Sequence, residues 1–426
     1  MLKKIYHYCL AFFGNLIYCF PSRKIFVVGV TGTKGKSTTI ELINAILEEA
    51  GKKTALLSSI RIKIADKSEK NLTDNTMPGR FFIQAFLRKA VNSGCEVALI
   101  EVTSQGVVQY RHCFIHWSAA IFTNLAPEHI EAHGSFEKYR EAKLSFFRHV
   151  SKLQKAKSKE QKLFFINKDD PSARYFIEAA KGGKIILFSK DDISFSRFSL
   201  PGFLATDFNL ENVAAAVSFS QTIDIEEGII KKALENFSGV PGRMEIVQNE
   251  PFKVIIDYAH TPDSLRKVYE AIKSKILPSQ IFKKNLGGQE IQSSKLICIL
   301  GSAGGGRDKW KRPKMGEIAT NYCDEIILTN EDPYNENPLQ IIKDIESGFS
   351  QNQKSKFQIT KNYWIILDRQ EAIKKAVSLA KKGDVIIITG KGCESWIHVE
   401  NGKKIPWNEK EAVKKALDSY ITKVNA

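Results

Sequence analysis

The segment "VVGVTGTKGKSTTIELINAILEEAG", Val27–Gly51, contains a β-branched run, spaced glycines and a stretch of helical apolar spacing. The run Ile25–Val30 is typical of a buried strand. Apolar side chains then recur at helical intervals between Ile40 and Leu47, which predicts a helix over Ser37–Ala50. Strand, glycine-rich loop and helix therefore follow one another in the order that phosphate-binding loops require.

The loop carries the groups that bind polyphosphate. Its glycines let backbone N–H groups turn toward an anion, and the helix N-terminus adds a positive partial charge. Lys36 can reach the outer phosphates, and Ser37 or Thr38 can hold Mg²⁺. The strict G-x-x-x-x-G-K-[ST] pattern would have glycine where Val30 stands, so this loop is a longer-spaced variant. A purely structural turn is the alternative.

Composition narrows the class of protein. A chain of 426 residues predicts two or three domains, and the net charge of +16 indicates an anionic partner or only a general solubility charge. The anionic partners that fit are a nucleotide, a polyphosphate substrate, a nucleic acid or an acidic lipid. The seven cysteines are scattered without a C-x-x-C pair. We therefore expect neither a metal cluster nor a disulfide framework, and a reducing cytoplasm fits best.

The N-terminal segment is apolar from Ile5 to Phe20, too short to span a bilayer comfortably, and His7 and Asn15 interrupt it. Basic residues flank it: Lys3, Lys4, Arg23 and Lys24. Two interpretations stay open. The segment is a helix packed on the body of the protein, or residues 1–22 are an interfacial helix on the inner face of the membrane.

Strand-like and helix-like stretches alternate along the chain, which is typical of an α/β fold with mainly parallel sheets. We expect an apolar segment at 1–24, a central P-loop-type domain at 25–240 and a C-terminal Rossmann-like domain at 241–426. The predicted strands are Val97–Val102, Ala119–Thr123, Leu163–Ile166, Lys184–Phe188, Phe252–Asp257, Lys295–Leu300, Asp324–Thr329 and Asp384–Thr389, and the predicted helices include Ser135–Val150 and Phe208–Thr222.

Three side chains, two after predicted strands and one on a predicted helix, are candidates for metal and phosphate chemistry. Glu101 ends a strand and is placed to hold Mg²⁺, although a solvated strand-end glutamate is the alternative. His129 lies in a loop after the next strand. Lys143 lies on a predicted helix among apolar neighbours, where it either extends to water or is a desolvated amine that can react with CO₂. The residues alone favour extension to water.

A second glycine-rich turn, Gly301–Gly306, precedes a basic stretch that begins at Arg307 and resembles another anion-binding loop. It lacks G-x-G-x-x-G spacing, so we expect no redox dinucleotide. Aromatic residues are not interleaved with the basic ones, so we expect no nucleic-acid partner.

Eight segments, taken in order, resemble the Mur ligase family, and most of all its UDP-N-acetylmuramyl-tripeptide synthetase branch. They are "GVTGTKGKST", "IEVTSQGVVQYR", "FTNLAPEHIEAHG", "YREAK", "GRMEIV", "IDYAHTPDSL", "GGGRDKWKRPKMG" and "GKGCE", between about Ile25 and Gly392. Any one segment is modest support, whereas their shared order and spacing are specific.

The resemblance implies that ATP phosphorylates a carboxylate to an acyl phosphate, which an amino acid's amine then converts into an amide. The implied acceptor is UDP-MurNAc-L-Ala-D-Glu or a similar muramyl peptide. The implied amino acid is lysine or meso-diaminopimelate. The implied catalytic residues are Lys36, Glu101, His129 and Lys143. Mg²⁺ would be held by Ser37, Glu101, His129 and Lys143, the last as a carbamylated lysine.

The same resemblance assigns the binding residues. The implied ATP contacts are Gly32, Thr33, Lys34, Gly35, Lys36, Ser37, Thr38, Asn212, Arg243 and Asp257. The implied acceptor contacts are Thr76, Ser104 and Arg111. The implied amino-acid contacts are Arg307, Glu331, Asp332, Tyr334, Gly390 and Glu394.

Three features depart from the family's pattern. The family's uridine-nucleotide domain has no counterpart before the phosphate loop, so we expect an acceptor that lacks UDP, binds it loosely or is linked to lipid. The family's Asp-Asn-Pro-Arg segment is "EDPY" here, so Tyr334 stands for an arginine, and Asp332 could instead favour a terminal ammonium. Cys393 replaces a usual histidine, and we interpret it as a buried apolar thiol.

Two other functions stay open. One is a related ligase that acts on folate, poly-γ-glutamate, an archaeal wall peptide or a lipid-linked acceptor. The other is a degenerate, non-enzymatic partner subunit. The muramyl-branch segments favour a cytoplasmic ligase, with peripheral contact to the inner membrane face as an option.

Overall fold

The computed structural model describes residues 2–73, 75–128, 130–154, 161–193, 198, 200–276, 294–350 and 357–424. The chain divides into two compact units, Met1–Ser238 and Gly239–Ala426. Each unit is built on a mainly parallel sheet with helices, so the predicted α/β fold is confirmed. None of the helices in the described ranges has the length and apolar character that a membrane span requires.

The first unit contains an eight-stranded sheet in the order β4-β3-β2-β5-β1-β6-β7-β8. All neighbouring strands from β2 to β8 in this order pair in parallel, whereas β3 and β4 form an antiparallel edge. The strands are β1 Phe26–Thr31, β2 Thr54–Leu57, β3 Arg61–Ile64, β4 Lys67–Lys70, β5 Val97–Glu101, β6 Ala119–Phe122, β7 Leu163–Asn167 and β8 Lys184–Phe188. The carboxyl ends of β5, β1 and β6 are therefore adjacent, since Val30 pairs with Glu101 and Thr31 pairs with Phe122.

Helices flank this sheet and bury its faces. They are α1 Leu2–Ile17, α2 Lys36–Glu49, α3 Arg80–Asn92, α4 Ser104–Val108, α5 Ile130–His133, α6 Phe136–Lys152, α7 Ala173–Ala179, α8 Asp207–Thr222 and α9 Glu227–Glu235. Aromatic rings fill the core, and Phe122 stacks on Phe176 with 3.6 Å between ring centroids. Gly29, in the middle of β1, serves this packing because an added Cβ would lie 2.4 Å from Phe146 Cζ. Gly29, the first glycine of the segment Val27–Gly51, is thus a packing residue.

The second unit contains a six-stranded sheet in the order β13-β12-β11-β14-β10-β9, in which only β9 is antiparallel to its neighbour. Its strands are β9 Glu245–Gln248, β10 Lys253–Ile256, β11 Leu296–Leu300, β12 Glu325–Leu328, β13 Tyr363–Ile365 and β14 Val385–Ile388. A separate antiparallel pair is formed by β15 Trp396–His398 and β16 Lys404–Pro406. The helices are α10 Pro262–Ala271, α11 Lys311–Tyr322, α12 Pro338–Glu346, α13 Arg369–Leu379 and α14 Glu409–Val424.

Cys298 and Cys323 form a disulfide, so the expectation of unpaired cysteines is wrong at these two positions. Cys298 lies in β11, and Cys323 is the C-cap of α11. The connection from β11 through α11 to β12 returns the end of the helix to the starting strand, and the two Cα atoms come within 6.1 Å. A separation of 25 residues gives no sign of this proximity in the sequence. The other five cysteines are free thiols.

Candidate active site

The phosphate loop connects β1 to α2 and depends on glycine at two positions. Gly35, with φ of +83°, is the N-cap of α2, and an added Cβ would lie 2.1 Å from Asn212 Oδ1. At Gly32 an added Cβ would lie 1.9 Å from Thr123 Oγ1. Larger residues at these positions would displace the loop from the ends of β6 and α8. The glycine spacing is therefore a steric requirement of this loop.

A buried carboxylate lies opposite the start of α2. Glu101, at the end of β5, is 3% exposed, and its Oε2 accepts hydrogen bonds from Ser37 Oγ at 3.0 Å and from the Ser59 backbone N–H at 2.9 Å. Its Oε1 lies 3.7 Å from Lys36 Nζ. The Lys36 ammonium also donates to the backbone carbonyls of Gly32 and Thr33, at 3.1 and 3.0 Å. The predicted lysine, serine and glutamate are thus in one cluster.

The hydroxyl of Ser37 and the carboxylate of Glu101 are hard oxygen ligands of the type that Mg²⁺ prefers. Their atoms are already within hydrogen-bond distance of each other beside the phosphate loop. This donor set fits a magnesium ion that also contacts a bound triphosphate. His129, the other predicted metal ligand, lies outside the described residues.

Lys143 points into the same cluster from α6. The side chain is among the most buried in the chain, its Nζ donates to Gly32 O at 2.7 Å, and it lies 4.8 Å from the centroid of the Tyr139 ring. Burial, followed by the positive charge of Lys36, holds the pKa of Lys143 well below the usual value for lysine, although Glu128 and Glu101 oppose the shift. Lys143 therefore does not extend to water, contrary to what its apolar neighbours suggested.

The loop is held by residues that the sequence did not single out. Asn124 accepts at its carbonyl from Thr33 N–H at 2.8 Å and at its Oδ1 from Lys34 N–H at 2.9 Å. Tyr139 shares a hydrogen bond of 3.1 Å with Thr33 Oγ1, and Glu128 forms an ion pair of 3.0 Å with Lys34. Tyr139 precedes Lys143 by four residues, so helical spacing could have placed the two side chains on the same face of one helix.

Asn212 contacts the loop from α8. Its Oδ1 accepts from Thr39 Oγ1 at 3.2 Å, and its Nδ2 donates to Asn209 Oδ1 at 3.2 Å. Together with its close approach to Gly35, these contacts place Asn212 at the beginning of α2. Thr38 lies in the first turn of the same helix and is buried. Both predicted ATP residues are therefore beside the loop.

The three predicted acceptor residues lie in neighbouring segments. The Arg111 guanidinium donates to the carbonyl of Met77 and, at 2.7 Å, to Gln109 Oε1. Met77 directly follows Thr76, and Ser104 begins α4 with its hydroxyl 3.1 Å from His133 Nε2. His133 was not predicted from the sequence. Burial, followed by the charge of Lys143, lowers its pKa, which leaves a neutral imidazole near Ser104.

In the second unit, Arg243 precedes β9 and Asp257 follows β10, and a hydrogen bond from Met244 to Asp257 joins the two segments. Asp257 accepts from the backbone N–H groups of Met244 and Ala259, at 2.8 and 2.7 Å. These bonds fix the residue next to Arg243, whose guanidinium lies 4.2 Å from the centroid of the Tyr258 ring. The two predicted ATP contacts of this unit therefore lie in adjacent segments.

A buried lysine organises the predicted amino-acid residues. Lys391 has a fully buried side chain, donates to both oxygens of Asp332 at 2.9 Å, and donates to Glu394 Oε2 at 2.5 Å. Asp332 also accepts from the backbone N–H of His398 at 2.8 Å. Both oxygens of Asp332 are thus engaged within the protein, so its partner is Lys391. Lys391 lies within the segment "GKGCE", and this role was not predicted from the sequence.

Glu331 is buried, and its Oε2 has no hydrogen-bond partner among the described residues. Burial raises the pKa of Glu331 to about 7, with Lys311 opposing the rise. An added Cβ at Gly390, which has a φ of +105°, would lie 2.5 Å from this oxygen. Glycine at position 390 therefore leaves room beside a carboxylate that is available to a cation.

Tyr334 adopts a positive φ of 50° and stacks on His398, with 4.9 Å between the ring centroids. Burial raises the pKa of Tyr334, and a hydrogen bond from Arg307 opposes the rise. The predicted residues Arg307 and Tyr334 are thus in contact. Cys393 is a free thiol that is partly exposed, so its interpretation as a buried apolar thiol is wrong.

Comparison with known proteins agrees with this geometry. The Mur ligase middle domain matches residues 30–200, and the Mur ligase glutamate ligase domain matches residues 242–392. The chain is 35% identical over 412 residues to the UDP-N-acetylmuramoyl-L-alanyl-D-glutamate--2,6-diaminopimelate ligase of Syntrophomonas wolfei, covering 91% of this chain and 77% of that protein. It is 33% identical over 424 residues to the ligase of that name from Aquifex aeolicus, covering 95% and 79%.

A solved structure of a UDP-N-acetylmuramoyl-L-alanyl-D-glutamate--2,6-diaminopimelate ligase superposes with a TM-score of 0.57 at 26% identity, over 93% of this chain and 79% of that one. These matches identify an ATP-dependent, ADP-forming amide ligase. The chain belongs to the Mur ligase family, whose place is in peptidoglycan biosynthesis.

Proposed function

We propose that this ligase adds a diamino acid, lysine or meso-diaminopimelate, to a UDP-MurNAc-L-Ala-D-Glu-like acceptor. The relatives of about 33–35% identity carry names that specify this acceptor and diaminopimelate. The observation that carries the proposal is the cluster of Lys36, Ser37, Glu101 and Lys143 around the phosphate loop. This cluster combines a phosphate-binding loop with the charged groups that phosphoryl transfer to a carboxylate requires.

The reaction proceeds in two steps, phosphoryl transfer and amide formation. The acceptor carboxylate attacks the γ-phosphorus of ATP, the bond to the bridging oxygen breaks, and ADP leaves. The amine then attacks the carbonyl carbon of the acyl phosphate, the carbon–oxygen bond breaks, phosphate leaves and the nitrogen loses a proton. Lys36 and the loop N–H groups bind the phosphates, which lowers the cost of charge on the transferring group. Mg²⁺, held by Ser37 and Glu101, would neutralise further phosphate charge.

Lys143 is proposed to be carbamylated. Its amine attacks CO₂, a nitrogen–carbon bond forms, and one proton is released to give an anionic carbamate. The lowered pKa supplies the neutral amine that this addition needs. The carbamate would also place a negative charge near the Lys36 ammonium group on the same loop, an attraction that the neutral amine does not provide.

For the incoming amino acid, we assign the charged contact to Glu331. Asp332, which we had expected to favour a terminal ammonium, is already neutralised by Lys391. Glu331 has the unengaged oxygen and lies beside Gly390. Arg307, Tyr334 and Glu394 would complete this contact region. Arg243 and Asp257 are proposed ATP contacts, and Thr76, Ser104 and Arg111 are proposed acceptor contacts.

We also propose that α1 rests on an anionic membrane surface from the cytoplasmic side. Ala11 and Gly14 are buried on the side of the helix that faces α3, so the helix packs on the body of its unit. The opposite side exposes large apolar residues: Ile5, Tyr6, Tyr8, Phe12, Phe13, Leu16 and Ile17. The exposed residues Arg23 and Lys24 follow it. An exposed apolar face with basic neighbours is the pattern of interfacial helices.

The same helix adjoins a proposed acceptor segment. The ring of Tyr8 lies 6.0 Å from that of Tyr110 and 4.9 Å from that of Phe114, and Phe12 lies 5.4 Å from Phe114. Arg111 lies between these two aromatic positions in the chain. This proximity favours a second candidate acceptor, a muramyl peptide linked to membrane lipid.

A panel of acceptors and amino acids tests the proposal. ADP release is measured with UDP-linked, free and lipid-linked muramyl dipeptides, each with lysine or diaminopimelate. We expect release only when a muramyl acceptor and a diamino acid are both present. Lys36→Ala should lower the rate at least about 100-fold, whereas Lys52→Ala, an exposed lysine of the same unit, should leave it unchanged. Release that is independent of every muramyl acceptor would refute the acceptor assignment.

A further inference from the structure

Two histidines and a cysteine form a compact cluster in the first unit, apart from the phosphate-loop residues. His112 and Cys113 follow α4, and His149 lies near the end of α6. One potential metal-binding atom from each side chain lies within 4.8 Å of the other two. Cys113 Sγ is 3.8 Å from His112 Nε2, and the two imidazole centroids are 4.8 Å apart.

The cluster is buried but incompletely hydrogen-bonded. His112 is 6% exposed, and Cys113 is 8% exposed. Among the described residues, neither His112 Nδ1 nor His149 Nε2 has a hydrogen-bond partner. An unsatisfied buried polar group destabilises the fold, so such groups commonly indicate a missing ligand. His112 Nε2 is the nitrogen next to Cys113 Sγ, so a metal ion there would satisfy His149 Nε2 but not His112 Nδ1.

The electrostatic state of the side chains is compatible with metal binding. Burial lowers the pKa of His112 to about 3, with a smaller effect from His149. Burial also lowers the pKa of His149 to about 4, aided by the charge of Lys152. Both imidazoles are therefore neutral near pH 7 and retain a lone pair. Burial raises the pKa of the Cys113 thiol to about 11, although Arg80 opposes the rise.

We propose that His112, Cys113 and His149 bind one thiophilic d¹⁰ metal ion, Zn²⁺ or Cu⁺. Imidazole nitrogen and thiolate sulfur are the ligands that both ions accept. Bond lengths of about 2.0–2.1 Å to nitrogen and about 2.3 Å to sulfur place such ligands about 3.6 Å apart in a tetrahedral site. The 3.8 Å separation of Cys113 Sγ and His112 Nε2 already matches this value. The three ligand atoms lie within 4.8 Å of one another, so a side-chain rotation that moves the His149 nitrogen by roughly 1 Å would bring it to ligand distance.

The charges around the cluster bear on which ion binds. On binding, the Cys113 thiol loses its proton to solvent, so a Cu⁺ complex is neutral whereas a Zn²⁺ complex has one positive charge. Arg80 and Lys152 are the cations that act on Cys113 and His149. Their repulsion favours the monovalent ion, since a buried net charge is costly.

The position gives the metal a structural role. His149 lies on α6, which also carries Lys143, while His112 directly follows Arg111. A metal bridging these positions would fix α6 to the segment that carries Arg111. The proposed catalytic lysine and a proposed acceptor residue would then be positioned by one ion that neither of them contacts.

Metal titration of the dialysed full-length protein tests the site. The protein is titrated with Zn²⁺, and separately with Cu⁺ under anaerobic conditions, each against a chelator of known affinity. Co²⁺ serves as a spectroscopic probe because a thiolate ligand gives a charge-transfer band. We expect one tightly bound ion per chain and a thiolate–cobalt band. Tighter binding of Cu⁺ than of Zn²⁺ would confirm the charge argument, and the reverse order would overturn that argument alone.

Variants assign the signal to the cluster. Cys113→Ser and His149→Gln should each weaken metal binding at least about 10-fold, and Cys113→Ser should abolish the cobalt band. Cys95→Ala removes another buried free thiol of the same unit and should bind like the wild type. Wild-type protein that binds no metal ion, or whose band survives Cys113→Ser, would overturn the proposal. These measurements do not use ligase activity, so their outcome does not depend on whether the proposed function is correct.

Discussion

The Nζ atom of Lys143 lies 2.7 Å from the carbonyl oxygen of Gly32, in a cluster that also contains Lys36 and Glu101. Its chemistry follows from burial more than from residue type. A lysine that extends to water keeps its proton, whereas this one is biased toward the neutral amine. Lys36 and Ser37 could be predicted from the sequence because a local motif fixes them, and Glu101 because it ends a predicted strand. The roles of Ser59, Tyr139 and Lys391 could not, because they depend on contacts between distant segments.

Carbamylation of Lys143 can be observed directly. After incubation with ¹³C-bicarbonate, the NMR spectrum of the wild-type protein should contain a carbamate resonance that Lys143→Arg lacks, since a guanidinium does not add CO₂ under these conditions. Lys138→Arg alters an exposed lysine of the same helix and should retain the resonance. The activity of Lys143→Arg should fall at least about 100-fold. A wild-type spectrum without this resonance would exclude the modification.

The preference for the amino acid is set, on our proposal, near Tyr334. Tyr334→Arg supplies a bidentate guanidinium and should shift the kcat/KM ratio of diaminopimelate to lysine upward by about 10-fold, because diaminopimelate has a second carboxylate. Tyr322→Arg changes a half-buried tyrosine of the same unit, away from Tyr334 in sequence, and serves as the control. An unchanged ratio in Tyr334→Arg would show that this segment does not contact the distal end of the amino acid.

At the scale of elements, the central strands could be located to within about a residue because parallel strands buried on both faces appear as continuous β-branched runs. The β3–β4 hairpin was missed, since all of β4, Lys67–Lys70, is exposed and lacks an apolar pattern. The short strands β15 and β16 were missed because three residues are too few to show a strand pattern. The phosphate loop was predicted from its glycines, but the packing role of Gly29 required knowledge of Phe146.

The geometry of the loop can be tested with two glycines of positive φ. Gly51→Ala, where no atom lies within 4 Å of the added Cβ, should lower the free energy of unfolding by about 1–2 kcal/mol and leave ATP affinity unchanged. Gly35→Ala incurs the same backbone cost and also displaces Asn212. Its Kd for ATP, measured by calorimetry, should rise by at least about 10-fold. Equal ATP affinity in both variants would contradict the proposed contact of Asn212 with the nucleotide site.

The exposed face of α1 makes a prediction about membranes. Wild-type protein should sediment with vesicles that contain phosphatidylglycerol, less so at high salt, and the double variant Phe13→Glu/Ile17→Glu should stay in the supernatant. Leu187→Glu alters an exposed leucine on β8 and should sediment like the wild type. Wild-type protein that stays in solution with anionic vesicles would refute the membrane contact.

At the scale of the whole molecule, the net charge of +16 matches a ligase that binds ATP and, on our proposal, a muramyl-peptide acceptor, both of which are anionic. The first unit carries the phosphate loop and the buried Lys143, and the second carries the cluster around Lys391. Composition could predict an anionic partner and more than one domain. It could not predict the disulfide or the imidazole–thiol cluster, since both depend on how the chain returns in space.

The most direct test of the central claim follows oxygen atoms through the reaction. An acceptor whose reactive carboxylate is labelled with oxygen-18 is incubated with ATP, the diamino acid and the enzyme, and the released phosphate is analysed by mass spectrometry. Because the acyl phosphate retains a carboxylate oxygen on phosphorus, our account predicts that each phosphate carries one labelled oxygen. Unlabelled phosphate, formed together with the amide product, would contradict phosphoryl transfer to the carboxylate.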